Sequence, residues 1–600
     1  PDVMIKDMVL RCVQHVIQSR SEQIRSGWKA ILSTLASAAR ESSEPIVTMA
    51  FEILREVCRS RFNDIVTLGS FPELIYCLTE FCTSAQHQRS SLQAIEMLYL
   101  CAKNLASRLQ SPLEGPGAHH GPTQPRTEVS DENAALTEKS HPPDSSSGST
   151  TAQTHPVVHT AVQSQPLGDE PNHLLSPNED PVHRLWLPIF HAMYDIIMNC
   201  DDLEVRTKAL NYLFEFLKSN GGSFSFDFWS LILRDVVYPI FGDLKNYNKD
   251  KRAGRQEDFS IWFSTTLIKA LRNLIDLFAF YYDILCPTLD GILELLTLCI
   301  TQESETLARI GTACFQELVE HNYQKFDTGA WKKVCQTFLH LFNVSVPHVL
   351  FEMSGITATL GDGSGDRMSG LLNGNHPTGA AVKPRSWKGD PQEEYQRITL
   401  KCVLQLLLIQ TVDELFHKNQ AIYQTVDTDQ LFFILDCLDK SYQFARKFNS
   451  DVQLRLALVE SGFMTQVPSL LKQEVSSLQC SITILQRMYS DTTPERQLIT
   501  EEVEGRLIPL SRNVLLHFNR IDPRTAEHHI QAWQPIICNI LEHLVEMDSK
   551  QAKNQLRILY PDILSLLNFP RPPGLMKLIQ QLLLRVGEIY NVYDADGREV

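Results

Sequence analysis

The sequence predicts an all-α protein, built as an α-solenoid of HEAT- or armadillo-like helical hairpins. Apolar residues recur at spacings of three and four through most of the chain, for example over 46–57 and 575–586, and alternating strand-like runs are almost absent. Three segments also repeat one design: 21–25 (SEQIR), 201–206 (DDLEVR) and 304–309 (SETLAR). Each begins with a helix-capping residue type, places an acid in the first turn and leads into an apolar stripe. Such recurrence is typical of stacked hairpins.

The helical pattern divides the chain into three arrays that are separated by two linkers. Arrays are predicted over 1–106, 181–350 and 393–600, because apolar periodicity runs through each of them. Residues 107–180 are rich in Pro, Ser, Thr, Gly and His, and we predict that they are disordered because they cannot bury enough apolar area to offset the entropy of ordering. Residues 351–392 are predicted to be a flexible loop. We expect the first linker to let the first array move relative to the rest.

Small residues follow the Arg of each repeated segment and predict close contact between neighbouring helices. They are Gly27, Ala30, Ala209, Gly311 and Ala313. A side chain of one carbon or none lets the backbone of an adjacent helix approach.

The repeated segments contain Arg25, Arg206 and Arg309, and two roles are open for these residues. In the first role, each Arg pairs with acids or carbonyl groups of the adjacent repeat, so that replacing Arg206 by Glu weakens the fold. In the second role, the Arg residues form a ridge that contacts a partner. Trp28 and Lys29 leave a similar choice, because Trp28 is either a buried packing residue or an exposed anchor with Lys29 beside it.

Charge and hydropathy argue against several classes of partner. The chain has 55 Lys and Arg residues against 71 Asp and Glu residues, so its formal net charge is −16. Without a dense basic stripe, we expect no nucleic-acid binding and weak direct adhesion to anionic lipids. No apolar run reaches the roughly 18–20 residues that a membrane span needs, and no signal peptide is visible. Pro1, in place of Met, indicates that the sequence is part of a longer chain.

Cysteine usage indicates a reducing compartment. The fourteen cysteines occur singly, mostly inside apolar stripes, and no C-x-x-C or zinc-finger spacing is present. We interpret them as buried thiols of a cytoplasmic protein.

No motif predicts a catalytic residue, a cofactor site or a metal site. The glycine-rich residues 361–365 (GDGSG) lack the preceding strand and the following helix of a phosphate loop, and residues 594–597 (DADG) match only part of a calcium loop. The histidines of the first linker are irregularly spaced, which favours solvated side chains over metal ligands: His119, His120, His141, His155, His159 and His173. The sequence is therefore predicted to be non-catalytic, with no cofactor and no metal.

Six short strings of the sequence form an ordered set. The first is 24–29 (IRSGWK), which contains Arg25, Trp28 and Lys29. The others are 400–406 (LKCVLQL), 409–413 (IQTVD), 435–438 (LDCL), 444–450 (FARKFNS, with Arg446 and Lys447) and 470–474 (LLKQE). In this order they resemble strings of the large brefeldin-A-inhibited guanine nucleotide exchange proteins for Arf GTPases, and most of them resemble the far C-terminal region of that family.

The resemblance implies that this chain is the C-terminal downstream-homology (HDS) part of such an exchange factor. The glutamate-bearing loop of the family's catalytic domain has no counterpart here, so the resemblance carries over no exchange residue. It implies a cytoplasmic regulatory scaffold, peripheral on trans-Golgi network membranes, which controls recruitment and exchange activity in vesicle trafficking. The implied partners are small GTPases of the Arf, Arl and Rab classes and the upstream catalytic region; the oligomeric state stays open, a homodimer included.

Seven residues are the candidate interface or inter-repeat positions: Arg25, Trp28, Lys29, Arg206, Arg309, Arg446 and Lys447. Two other functions stay open. A free-standing HEAT-repeat adaptor, such as a transport receptor or a phosphatase scaffold, would share the helical periodicity but not the family strings. An enzyme whose site forms between helical arrays would need a convergent pocket of perturbed acids or histidines.

Overall fold

The computed structural model describes residues 3–84, 87–110, 181–245, 266–352, 391–460, 462–522 and 526–591. Helices and turns account for these ranges, and none of them contains a β-strand, so the predicted all-α class is confirmed. The predicted linker and loop lie almost entirely outside the described residues. The glycine-rich residues 361–365, the partial calcium loop 594–597 and the linker histidines lie outside them as well.

The first array has helices α1 to α6. Their bounds are Val3–Arg20 (α1), Gly27–Ala39 (α2), Glu44–Ser60 (α3), Phe62–Thr67 (α4), Phe71–Cys82 (α5) and Gln88–Gln110 (α6). The sequence signals are clear in α3, where Pro45 stands in the first turn and loses no intrahelical hydrogen bond. Its stripe of Ile46, Ala50, Ile53 and Leu54 is buried, as the periodicity predicts.

The second array has helices α7 to α15 within residues 181–245 and 266–352. Their bounds are Pro181–Asn199 (α7), Leu203–Asn220 (α8), Phe226–Ile232 (α9), Ile268–Phe280 (α10), Tyr282–Leu285 (α11), Leu289–Ile300 (α12), Glu305–Asn322 (α13), Thr328–Val344 (α14) and Val349–Glu352 (α15). Helix α9 continues into a π-helical turn, Leu233–Val237, and a 3-10 segment, Tyr238–Lys245. The aromatic side chains of Phe228, Trp229 and Phe241 are buried here.

The third array has helices α16 to α25 within the described residues after 390. Their bounds are Pro391–Val412 (α16), Gln420–Thr425 (α17), Thr428–Ser450 (α18), Val452–Glu460 (α19), Leu471–Ser490 (α20), Pro494–Gln497 (α21), Thr500–Arg520 (α22), Glu527–Glu546 (α23), Ser549–Leu564 (α24) and Pro573–Ile589 (α25). Helix α20 is central, since α16, α18, α22 and α23 all pack against it. Most of its side chains are buried as a result.

The helices stack in the order of the chain, as expected of a solenoid. Helix α2 packs against α5, α5 against α7, α8 against α10, α10 against α13, α13 against α16, and α22 against α24. These contacts bury one hydrophobic core that runs from Leu10 to Ile589. Because each helix covers the apolar face of its neighbours, stability accumulates from nearest-neighbour interfaces.

The first array packs directly against the second. The amine of Lys208 lies 3.1 Å from the Glu96 carboxylate, and the Tyr99 hydroxyl donates to Glu215 at 2.8 Å. Helices α5 and α6 share the hydrophobic core with α7 and α8. The expectation that the first array moves relative to the rest is therefore wrong for this structure, because separating the two arrays would expose part of that core.

The three repeated segments begin their helices differently. Asp202 caps α8 as predicted, since its carboxylate accepts hydrogen bonds from the backbone N–H groups of Glu204 and Val205 at 2.8 and 3.1 Å. Ser304 occupies the cap position of α13 without a side-chain bond to the helix. Ser21 begins a one-turn 3-10 segment, and the next helix starts only at Gly27, so the predicted cap at Ser21 is wrong.

Helix α1 differs from its predicted burial. The sequence places Met8, Val9 and Val16 on an apolar stripe, but these side chains are exposed, whereas Leu10 and Ile17 are buried. The reason is tertiary: α3 is the main helix that packs against α1, so only one narrow side of α1 is covered within the described residues.

One helical stretch of the described residues, 328–352, is long and apolar enough to cross a membrane by length and composition alone. Such a stretch was not expected, because the sequence has no uninterrupted apolar run of about 18–20 residues. Its Trp331, Phe338 and Leu341 side chains are buried in the core, and a core helix of a soluble protein passes the same test.

Gly311 on α13 allows the close approach that the small residues predict. A Cβ atom at this position would lie 2.7 Å from Cγ1 and 3.2 Å from the backbone nitrogen of Ile300, at the end of α12. Gly505 on α22 has no heavy atom within 4 Å of the equivalent position. An alanine substitution therefore tests packing at Gly311 and helix propensity alone at Gly505.

We expect Gly311→Ala to destabilise the protein by about 1–3 kcal/mol, because the added methyl group overpacks the α12–α13 contact. The matched control Gly505→Ala should stabilise the protein by about 0.4–1 kcal/mol, since the alanine gains helix propensity in open space. Thermal melting of both variants measures the difference. Two shifts of the same sign would contradict this account of Gly311.

Candidate interaction surfaces

Arg206 has the structural role among the three repeat arginines. Its Nη2 atom donates to the carbonyl oxygen of Met198 at 3.1 Å, and its Nε atom donates to that of Cys200. These carbonyls end α7 and have no intrahelical partner, so the guanidinium satisfies them and complements the negative helix end. Arg206 thus holds α8 to the C-terminus of α7, its partner in the same hairpin.

Arg309 and Arg25 do not bridge hairpins. Arg309 is exposed and pairs with Glu305, one turn earlier on its own helix, at 2.6 Å. Arg25 is exposed in the turn before α2, and its guanidinium has no ion-pair or hydrogen-bond partner in the described part of the chain. The bridge expected there is made instead by Arg40 at the end of α2, which binds both carboxylate oxygens of Glu80 on α5 at 2.5 and 2.6 Å.

Trp28 and Lys29 separate into a core residue and a surface residue. Trp28 has no exposed area and packs inside the first array, so burial, the first of the two predicted alternatives, is observed. Lys29 is exposed, and its amine lies 2.6 Å from the Glu73 carboxylate on α5. Lys29 therefore links α2 to α5, and its contribution to stability is small because the pair is solvated.

Arg446 and Lys447 lie near the end of α18. Arg446 donates a hydrogen bond to the Tyr442 hydroxyl, and its guanidinium carbon lies 5.7 Å from the centre of the Tyr442 ring. The exposed Lys447 places its amine 4.8 Å from the centre of the Phe351 ring. Both cations are held by aromatic rings rather than by salt bridges. The seven candidate residues thus fall into separate places along the array and do not form one site.

A nearby pair of residues was missed from the sequence. Asn449 donates its side-chain amide to the Glu474 carboxylate at 2.6 Å, and Glu474 is only 4 % exposed. Burial raises the pKa of the Glu474 carboxyl, and the bond from Asn449 and the charge of Arg446 offset only part of this effect. The available signal was a lone Glu in the apolar stripe of α20.

A surface groove of about 350 Å³ lies between α16, α20 and α23. Ile409 and Val475 supply apolar walls, Asp413 and Lys472 supply charge, and Pro535 borders the groove. A proline inside a helix lacks the N–H that bonds the carbonyl four residues earlier, so it leaves a free acceptor. This groove has the chemistry to receive a side chain of another protein.

A second groove, of about 310 Å³, lies on the other side of α20 between α18 and α22. Leu435 and Leu478 form its apolar wall, Asp439 and Arg506 are charged, and Pro509 borders it. The two grooves share aliphatic walls and a mid-helix proline, and one charged residue of each is ion-paired: Asp413 with Lys418, and Arg506 with Asp436.

Potential metal ligands in the described residues are not grouped into a metal site. No cluster of three or more His, Cys, Asp or Glu residues in these ranges could hold a metal ion. All fourteen cysteines are free thiols and most are buried; burial raises the pKa of Cys299 and of Cys335 to about 12. Such thiols are protonated at neutral pH and are poor nucleophiles.

Two domain families match the chain. Residues 1–56 match the family described as "Mon2/Sec7/BIG1-like, HDS", and residues 403–584 match the family described as "BIG2 C-terminal domain". The second match covers the part of the third array that holds both grooves and the residues Arg446 and Lys447.

Curated relatives align with nearly the whole chain. The ADP-ribosylation factor guanine nucleotide-exchange factor SEC7 of Saccharomyces cerevisiae is 31 % identical over 98 % of this chain and 30 % of its own length. The brefeldin A-inhibited guanine nucleotide-exchange protein 1 of Homo sapiens is 28 % identical over 99 % of this chain and 32 % of its own length. The chain thus spans about a third of the length of these relatives. Solved helical proteins such as the karyopherin Kap121p align at 10 % identity with a TM-score of 0.27, too low to add to the fold described above.

We expect Arg206→Glu to lower the free energy of unfolding by about 1–3 kcal/mol, because it leaves two carbonyls of α7 without a donor and puts an acid at a negative helix end. The control Arg309→Glu, which removes an exposed pair within one helix, should cost about 0.5 kcal/mol. Denaturant unfolding of both variants measures the difference. A loss of partner binding by Arg206→Glu at unchanged stability would assign Arg206 to an interface instead.

We expect Glu474→Gln to stabilise the protein at pH 7 and to lose this effect in acid. The folded protein binds the Glu474 proton more tightly than the unfolded chain does. Above the raised pKa of Glu474 its carboxyl is charged in both states, and burying that charge lowers the stability. Below the ordinary pKa of 4.5 the carboxyl is neutral in both states and lowers the stability no further. The glutamine still accepts the bond from Asn449. Melting temperatures of the variant and the wild type should therefore converge as the pH falls below 4.5.

A stability gap for Glu474→Gln that is independent of pH would contradict the burial argument.

Proposed function

We propose that this chain is a non-catalytic regulatory scaffold. The premise is that it belongs to the large Sec7- and BIG-type Arf guanine nucleotide-exchange factors, whose downstream-homology and C-terminal domains it carries. The observation that supports the proposal most is the alignment with these relatives over almost the whole chain. An α-solenoid suits the role, because its stacked hairpins present a long surface to other proteins.

In this proposal the scaffold controls membrane recruitment and exchange activity in vesicle trafficking. Its partners are small GTPases of the Arf, Arl and Rab classes and the catalytic region of the same factor, and the protein is cytoplasmic and peripheral on trans-Golgi network membranes. Contact between proteins, rather than contact with lipid, is favoured by the net charge of −16. A homodimer is compatible with the same surfaces.

The exposed basic residues are the proposed contacts. Arg25 is the first choice, because its guanidinium is exposed and unpaired in the described structure. Lys29, in the first turn of α2, and the end of α18, with the partly buried Arg446 and the exposed Lys447, are the others. Arg206 and Trp28 are excluded from this set, since the first satisfies helix carbonyls and the second is buried.

The first test is nucleotide exchange. The purified chain, added to Arf loaded with GDP, should release no nucleotide above the rate in buffer, while chelation of magnesium in the same sample shows that release can be detected. Catalysed release by the chain alone would end the proposal of a non-catalytic scaffold.

The second test is a comparison of binding to GTP-loaded and GDP-loaded GTPases. We expect preferential capture of a GTP-loaded member and at least a tenfold weaker affinity for Arg25→Glu, about 1.4 kcal/mol, at unchanged melting temperature. The control Arg309→Glu changes the same charge on another helix and should bind as the wild type does. Equal capture of both nucleotide states would contradict the regulatory role.

A further inference from the structure

The hydrophobic core of the third array is divided into two parts. The larger part continues the core of the rest of the chain. The smaller part, here called the satellite core, is separate from it and draws on α15, α16, α18, α19 and the segment 462–470. Its buried members are Leu350, Ile398, Phe448, Leu454, Leu458 and Met464.

A buried polar layer lies where the two cores meet. It consists of Ser345, Gln405, Ser441, Gln473 and Ser477, each at most 2 % exposed. The Gln405 amide donates to the Ser345 hydroxyl at 2.7 Å, and its oxygen accepts from the Ser441 hydroxyl at 2.6 Å. The Gln473 amide donates to Ser441 at 3.1 Å. These bonds join four segments of chain across the interior.

The polar layer interrupts the apolar contacts along the helices that cross it. On α16, Gln405 lies between Ile398 of the satellite core and Leu408 of the main core. On α18, Ser441 precedes Phe448, which belongs to the satellite core. The satellite core is thus a cluster separate from the main core, although Leu404, next to Gln405, belongs to the main core.

Hydrogen bonds made by two side chains close the satellite core. The Asn449 side chain accepts from the backbone N–H of Leu470 at 2.8 Å and donates to Glu474 at 2.6 Å. Arg455 donates to the carbonyl of Asn449 at 3.0 Å and to that of Pro468 at 2.7 Å. These contacts, here called the Asn449 clamp, tie α19 and the following segment to the ends of α18 and α20.

Helix α19 is also capped by Asp451, whose carboxylate accepts from the backbone N–H of Leu454 at 2.9 Å, and the Met464 N–H donates to the Leu458 carbonyl at 3.0 Å. The helix is nine residues long, and a helix of this length is not stable without tertiary contacts. Val452 is 55 % exposed and Leu456 is 40 % exposed, so much of its apolar surface is uncovered. Val467, in the segment that follows, is 47 % exposed.

We propose that α19 and residues 462–470 form a strap that opens and closes over the satellite core as a separate unit, with the polar layer as the boundary that keeps the main core intact. Opening breaks the Asn449 clamp and exposes Leu454 and Leu458, which adds apolar surface beside Val452 and Leu456. The strap is therefore a switch between a small and a large apolar face on the third array. This inference does not depend on the proposed function.

Native-state hydrogen exchange of the 600-residue chain, followed by mass spectrometry, tests the proposal. Amides of α19 and 462–470 should exchange at least about tenfold faster than those of α20, and low guanidinium concentrations should change their exchange less than that of α20. Equal rates and equal denaturant dependence in the strap and in α20 would overturn it.

Asn449→Ala removes the two clamp bonds that the Asn449 side chain makes, and should speed exchange in the strap about tenfold or more while α20 stays protected. The matched control is Asn519→Ala, which removes an amide that donates from α22 to the Asp562 carbonyl at 2.8 Å, away from the strap. Faster exchange throughout the chain in Asn449→Ala would show that the strap and the main core open as one cooperative unit, which would contradict the proposal. If Asn449→Ala does not fold, the exchange measurement on the wild-type chain still tests the proposal.

Discussion

The structure depends on the burial of each helix's apolar face against the helices of the neighbouring hairpins. None of the described helices exceeds 23 residues, and helices in proteins owe most of their stability to tertiary packing of an amphipathic face. Their stability comes from one core that continues from α1 to α25. A side chain such as Trp28, completely buried in that core, contributes on the order of 1.5–3 kcal/mol.

This continuity has a consequence for the relation between the arrays. A long linker in the sequence suggests that the first array moves relative to the second. In the structure, however, helices on either side of the linker pack together, α5 against α7 and α6 against α8. Polar contacts such as that between Lys208 and Glu96 lie at the edge of the joint, and the core runs through its centre. The third array shows the opposite arrangement, because there the polar layer around Gln405 lies inside and divides the apolar packing. The two places thus differ in where polar groups lie relative to the core: at its edge between the first two arrays, and inside it in the third.

The candidate surfaces follow from what the core leaves uncovered. The arginines that satisfy backbone carbonyls, such as Arg206, are unavailable to a partner, whereas Arg25 and Lys447 face outward. The two grooves beside α20 are also surface that the core leaves uncovered, and they lie next to the most buried helix of the third array.

The sequence by itself determined the helical class, the periods of the buried stripes, the cap at Asp202 and the family resemblance, because these depend on residues close together in the chain. Tertiary structure decided which side of α1 is covered, that Arg40 rather than Arg25 bridges to the next hairpin, and that Gln405 meets Ser441 in a buried layer. A periodic pattern shows that a face is apolar but not how much of it a neighbour covers. A contact between residues 36 positions apart depends on how two hairpins dock, which no local pattern contains.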